Sequence, residues 1–179
     1  MLPMGQSNPP PPSRSQRPVD ATCIFVTVAD LRHATAPDVI LTTLGLGSCL
    51  GITCYDPLRR IGGMLHTMLP DSRRHRRENP PPAMYLNLGL PALINGMVEL
   101  GASMPHLQFK VFGGARILQS NDYFSVGRKN VEMMEQFVDA YRLNVRHWDV
   151  GGQTNRSIDL YISDGRVALR MPGQPEKWL

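Results

Sequence analysis

Cysteine is scarce in this chain. Cys23, Cys49 and Cys54 are its three cysteines, an odd number with no pair spaced as CxxC. That excludes a disulfide framework and a thiolate zinc cluster, and it leaves at least one thiol free. Long apolar runs are also missing: Gly, Pro, Asn or a charge interrupts each one well short of the ~20 residues that span a bilayer. The start, Met1-Leu2-Pro3-Met4-Gly5-Gln6, has no basic stretch leading into an apolar core, so a secretory leader is not expected and a cytoplasmic location is. Aromatic residues are missing from the one dense basic run, Arg73-Arg74-His75-Arg76-Arg77. Without rings to stack on bases, that run is expected to be a solvated loop rather than a nucleic-acid surface, or a lure for an acidic protein partner.

What is present suits one globular domain with a real core, since 42% of the 179 residues are hydrophobic and 19% charged. Residues 1–20, with Asn8-Pro9-Pro10-Pro11-Pro12 among Ser, Gln and Arg, cannot bury enough apolar area to offset ordering, and a disordered Pro-rich tail is expected there. The domain is expected over 21–179. Thr22 to Val28 and Val39 to Thr43 carry the β-branched and aromatic content of strands, with Ala29 to Asp38 as a connector of little periodicity. Leu50 to Tyr55 and Ile61 to Met68 predict two more strands around the Asp56-Pro57 turn. Pro80-Pro81-Pro82 opens a helix from Ala83 to about Leu100, capped at Gly101, and a second runs from the Val126-Gly127-Arg128-Lys129-Asn130 stretch to about Tyr141. Strands over 107–112, 144–150, 157–162 and 167–171 complete an α+β pattern: mixed or antiparallel, sandwich-like sheets with two long helices packed outside.

The chemistry concentrates at Thr43-Leu44-Gly45-Leu46-Gly47-Ser48-Cys49, followed by His66. A thiol at a glycine turn is approachable, and glycines allow backbone angles that turn amide N–H groups outward, where those near Gly47 and Ser48 can hold an oxyanion. A histidine activates such a thiol by taking its proton. The other histidines, His33, His75, His106 and His147, have no cysteine in a comparable turn and are expected at the surface. Cys23 and Cys54 sit in apolar strand-like runs, where a buried, inert thiol is the usual outcome. Cys54 is an odd number of residues from Cys49, so in an unbroken strand the two face opposite sides and no disulfide joins them. A Cys–His site also needs a third group to orient the imidazole, and Thr43 and Ser48 both offer a hydroxyl. Spacing does not choose between them.

Thr43 to Cys49, with Tyr55-Asp56-Pro57, Gly62-Gly63-Met64-Leu65-His66 and Met68-Leu69-Pro70, resembles the signature of the CheD family of chemoreceptor glutamine deamidases. Lys110-Val111-Phe112-Gly113-Gly114-Ala115, Val126-Gly127-Arg128-Lys129-Asn130-Val131, Gly151-Gly152 with Arg156, and Gly165-Arg166-Val167 resemble later blocks of the same family in the same order. The resemblance runs from about Val39 to Met171. It implies an α/β sandwich related to toxin-type cysteine deamidases, with Cys49 as nucleophile, His66 as base and Thr43 as third member. Two features depart from the family pattern: Gly89 and Pro91 inside the first helix, and the Pro-rich tail with the arginine run.

The implied reaction is hydrolysis of a glutamine side-chain amide on methyl-accepting chemoreceptors, needing no metal or organic cofactor. Arg73, Arg74, Arg76 and Arg77 are candidates for steering that acidic substrate. The family also implies contact with a CheC-type phosphatase, so a non-catalytic regulator of that partner is one alternative. Another Cys–His hydrolase, a protease or an esterase acting on receptor methyl esters, is the second.

Overall fold

The structure is a computed structural model that describes residues 20–74, 79–116 and 126–179. The tail expected over 1–20 lies, but for Asp20, outside the described residues. So do His75, Arg76 and Arg77.

Among the described residues, ten strands and two α-helices follow one another as β1 (Thr22–Phe25), β2 (Asp30–Ala34), β3 (Val39–Leu46), β4 (Leu50–Asp56), β5 (Ile61–Thr67), α1 (Leu86–Glu99), β6 (Gln108–Gly113), α2 (Val126–Tyr141), β7 (Val145–Val150), β8 (Arg156–Tyr161), β9 (Val167–Arg170) and β10 (Lys177–Trp178). They form two five-stranded sheets, β1-β3-β8-β9-β10 and β2-β5-β4-β6-β7. Each sheet is mixed. Its single parallel pair is β1 with β3 in the first and β6 with β7 in the second. The fold is therefore α+β, and the sheets are open rather than closed into a barrel.

Side-chain alternation on β4 shows how the layers stack. Leu50, Ile52 and Cys54 point to a core shared with Leu86, Leu90, Leu93 and Met97 of α1 and Met134 of α2. The opposite face of the same sheet, through Met64 and Phe112, meets Leu41, Leu46, Ile158, Leu160 and Leu169 of the first sheet in a second core. The second sheet is thus the middle layer, buried on both faces, which is why β4 and β5 carry no exposed residue. Each fully buried Leu or Ile in these cores contributes about 1.5–3 kcal/mol relative to exposure.

The connector expected over Ala29–Asp38 is in part a strand. β2 has little β propensity, but the free edge of β5 offers it a ladder, with Asp30 opposite His66 and Ala34 opposite Gly62. The first strand correspondingly stops at Phe25, because Val26 to Ala29 carry the chain from one sheet to the other, with Ala29 at φ 59°. His33, expected at the surface, is half-buried on β2, its Nε2 2.9 Å from the Leu93 carbonyl. β10 has no counterpart among the predicted strands. Two residues long, it exists only by pairing with β9.

α1 starts at Leu86 rather than Ala83, since Pro82–Met84 form a 3-10 turn and Tyr85 is extended. Both departures inside it have a physical account. A Cβ on Gly89 would lie 3.0 Å from Leu65 and 3.2 Å from the Ala83 backbone, so glycine lets the helix settle on β5. Pro91 is exposed, and the hydrogen bond it cannot donate is lost on the solvent side. Gly101 follows at φ 98°; its N–H bonds Val98 and that of Ala102 bonds Met97, closing the helix as expected of a C-terminal glycine.

Candidate active site

The site begins with a bulge. Thr43 pairs with Ile158 and Leu46 with Arg156, so three steps along β3 match two along β8. The extra residue is absorbed at Leu44-Gly45, where Gly45 has φ 67°. Thr43 and Leu46 therefore both face the inter-sheet core despite their odd separation. A Cβ on Gly51 would collide with the Leu46 side chain, so glycine there is what admits that leucine. Gly47-Ser48-Cys49 then carries the chain across from the first sheet to β4 in the second.

That crossing is held by three carbonyls. The Gly47 carbonyl accepts the Ala115 N–H at 2.8 Å, and the Cys49 carbonyl accepts the Gly114 N–H at 2.8 Å. Between them, the Ser48 carbonyl accepts Nδ2 of Asn130 at 2.9 Å. Gly113, at φ 102°, sits so close beneath the Cys49 carbonyl that any Cβ would strike it. Gly127, at the start of α2, is as tightly placed: a Cβ would lie 2.7 Å from the Gly114 carbonyl oxygen and 2.8 Å from that of Ala115. Farther out, Arg156 donates to Asp149 and to the Gly151 and Thr154 carbonyls, and the Gly151 N–H in turn bonds Gly113. The separated Gly-rich blocks of the sequence thus converge behind one turn.

His66 lies on β5 opposite Gly51 of β4. Cys49, in the bend two residues before Gly51, packs against the same inter-sheet core that Gly51 and Thr43 border. Thr43 reaches His66 from the other sheet. Its hydroxyl is 2.7 Å from the Val26 carbonyl and 2.8 Å from Nδ1 of His66. A carbonyl can only accept, so the single hydroxyl proton goes to Val26 and Nδ1 must donate to Thr43. The imidazole proton is therefore on Nδ1. Nε2 is left as the free acceptor, and it is buried with no hydrogen-bond partner among the described residues.

Burial favours the uncharged form of both Cys49 and His66. It pushes the Cys49 thiol above its ordinary 9.0, opposed by the residue's own amide N–H. It pushes the His66 imidazole below 6.5, opposed by the Val26 carbonyl. Both shifts favour the neutral thiol and the neutral imidazole in the free protein.

Of the remaining predicted residues, Ser48 contributes its carbonyl to the turn, and Gly47 likewise. Cys54 is fully buried in the helix-side core, away from Cys49, and burial raises its thiol strongly. Arg73 forms a forked ion pair with Asp71, at 2.7 to 3.1 Å, and Arg74 lines a cleft with Asp71, Lys129 and Glu132. His147 is half-buried on β7, contrary to the surface expectation, with its ring 5.8 Å from that of Phe112. Asn130 was not singled out by the sequence. The signal was there: it lies four residues before Met134, on the apolar stripe of α2, where an amide is out of place unless it has partners.

Comparison with known proteins adds an independent line. A family model described as CheD, "CheD chemotactic sensory transduction", matches residues 68–171. The chain is 37% identical over 154 residues to the Symbiobacterium thermophilum protein named "Probable chemoreceptor glutamine deamidase CheD", covering 84% of this chain and 93% of that one. A protein of the same name from Thermococcus kodakarensis is 44% identical over 133 residues, 73% of this chain and 82% of the relative. For Methanococcus maripaludis the figures are 40% over 146 residues, 81% and 92%. The family match starts two residues past His66, so it rests on the later Gly-rich blocks rather than on the Cys–His segment itself.

Proposed function

The chain belongs to the CheD family of chemoreceptor glutamine deamidases, and from that premise we propose that it deamidates glutamine side chains on cytoplasmic regions of chemoreceptors with Cys49 as nucleophile. The single observation that carries the role of the site is the Val26–Thr43–His66 relay. It supports an imidazole proton on Nδ1 and an Nε2 that is buried with no hydrogen-bond partner among the described residues, as a base for the Cys49 thiol requires.

In the reaction, Nε2 of His66 takes the thiol proton as Sγ of Cys49 bonds to the carboxamide carbon. Backbone N–H groups around Gly47 and Ser48, in a turn whose carbonyls are already engaged, receive the developing oxyanion. The tetrahedral species collapses by breaking the C–N bond, and His66 returns its proton to the departing nitrogen as ammonia leaves. Water, deprotonated by the same Nε2, then attacks the thioester. The C–S bond breaks, the substrate carries a glutamate, and the thiol is restored. Burial, which favours the neutral thiol and the neutral imidazole, fits a proton passing to Nε2 as the sulfur attacks.

Incubation of the protein with a chemoreceptor cytoplasmic fragment, followed by peptide mapping, tests this directly. An amide-to-acid mass change at intact backbone is expected with wild type and absent with Cys49→Ala. Deamidation surviving in Cys49→Ala would remove the nucleophile assignment, and loss of a methyl ester in place of ammonia would identify an esterase.

A further inference from the structure

Asn130 is fully buried on α2, and one planar group on it serves two separate elements. Nδ2 donates to the Ser48 carbonyl at 2.9 Å and to the Met68 carbonyl at 3.0 Å. Ser48 immediately precedes Cys49, and Met68 follows His66 by two residues. Both amide hydrogens are therefore spent on tying the turn that carries the sulfur to the end of the strand that carries the ring. The orientation of the amide is forced, because the reverse would set its oxygen against two carbonyls.

The other half of the group has no such use. Oδ1 is buried without a hydrogen-bond partner among the described residues. An apolar side chain there would remove that orphan but take this donor from the Ser48 and Met68 carbonyls, so the unmet acceptor is tolerated for the two segments the amide joins. Gly127 completes the picture. Its lack of a side chain lets α2 press against the Gly114 and Ala115 carbonyls, which brings Asn130, one turn later, within reach of both acceptors.

We propose that Asn130 is a positioning residue for the deamidation, fixing the separation and angle between the Cys49 sulfur and the His66 imidazole. This rests on the Cys49–His66 reading of the site. Asn130 touches neither reacting group; it sets the frame in which Nε2 meets the thiol.

The test compares wild type with Asn130→Ala, Asn130→Asp, Met134→Ala and Cys49→Ala in the full chain. It reads kcat and KM on a chemoreceptor fragment, Tm, and the pH dependence of Cys49 alkylation by iodoacetamide, followed by peptide mapping. Misplacing a nucleophile–base pair by an ångström costs about 100-fold. A kcat loss of that order is expected for Asn130→Ala and Asn130→Asp, with KM nearly unchanged and the alkylation profile shifted. Met134→Ala, which opens a cavity on the same helix, should lower Tm at least as much while keeping kcat per folded molecule. Should Asn130→Ala or Asn130→Asp fail to fold, Asn130→Ser, which keeps one hydroxyl donor and buries no charge, decides by the same readouts. A folded Asn130 variant with wild-type kcat, or with kcat reduced only in step with its folded fraction, overturns the proposal. Full deamidation by Cys49→Ala instead overturns the underlying site, so the two failures are distinguishable.

Discussion

Thr43→Val removes one hydroxyl and almost nothing else, and its consequences follow from two distances. Valine has nearly the shape of threonine, so no cavity forms in the inter-sheet core. What is lost is an acceptor 2.8 Å from Nδ1 of His66 and a donor 2.7 Å from the Val26 carbonyl. A buried polar group left unpaired costs about 1–3 kcal/mol, and two are orphaned here. The Val26 carbonyl already acts on the imidazole, so the two orphans can partly pair with each other. A net loss of about 1–2 kcal/mol in urea unfolding is therefore expected, not the full sum. That repair has a catalytic consequence, because a ring drawn toward Val26 moves Nε2 from the position that the Thr43 hydrogen bond gives it. The expected fall in kcat is about 100-fold, the scale of a misoriented general base, with KM little changed. Thr43→Ser keeps the hydroxyl and should keep most of the activity. Deamidation would be followed by mass spectrometry of receptor peptides under saturating substrate. A folded Thr43→Val enzyme with wild-type kcat would refute the orienting role, and equal losses in Thr43→Val and Thr43→Ser would assign the effect to packing.

The remaining expectations concern protons and burial. With the imidazole lowered below 6.5 and the thiol raised above 9.0, kcat/KM should climb on an acid limb below pH 6.5 and then stay level through neutrality; a thiolate absorbance in the free enzyme at neutral pH would contradict the neutral pair. The same depressed imidazole has a stability signature. The unfolded chain binds the His66 proton near 6.5 and the folded chain only at lower pH, so acidification through 6.5 should cost stability until the folded value is passed, and His66→Gln should remove that component. Burial of Asp56 acts to raise its carboxyl, but N–H groups of Ser103, Arg59 and Leu58 at 2.9 to 3.1 Å and the Arg59 charge outweigh it and hold the carboxyl below the usual range. Asp56→Ala should cost about 2–4 kcal/mol in urea unfolding, with activity per folded molecule unchanged. A loss under about 0.5 kcal/mol, the ordinary surface value, would show that water replaces the carboxylate there.

Residue types and order made Cys49 and His66 the candidates among three cysteines and five histidines, and they were enough to read most of the strands and both helices. Local patterns carry that much because apolar alternation, proline and glycine act over a few residues. Other features belong to the fold alone. β2 is a strand because β5 has a free edge, a property of the sheet and not of Asp30 to Ala34. The choice of Thr43 over Ser48 could not come from spacing, since a bulge at Gly45 resets which side chains face inward. Asn130 looked like one polar residue on a helix until α2 met two carbonyls from distant segments. Most decisively, the imidazole tautomer depends on the Val26 carbonyl, far from His66 in sequence and brought to it only when the two sheets close on each other. Chemical identity is written in the chain, but the direction in which a proton points is set by whichever acceptors the packing brings within 3 Å.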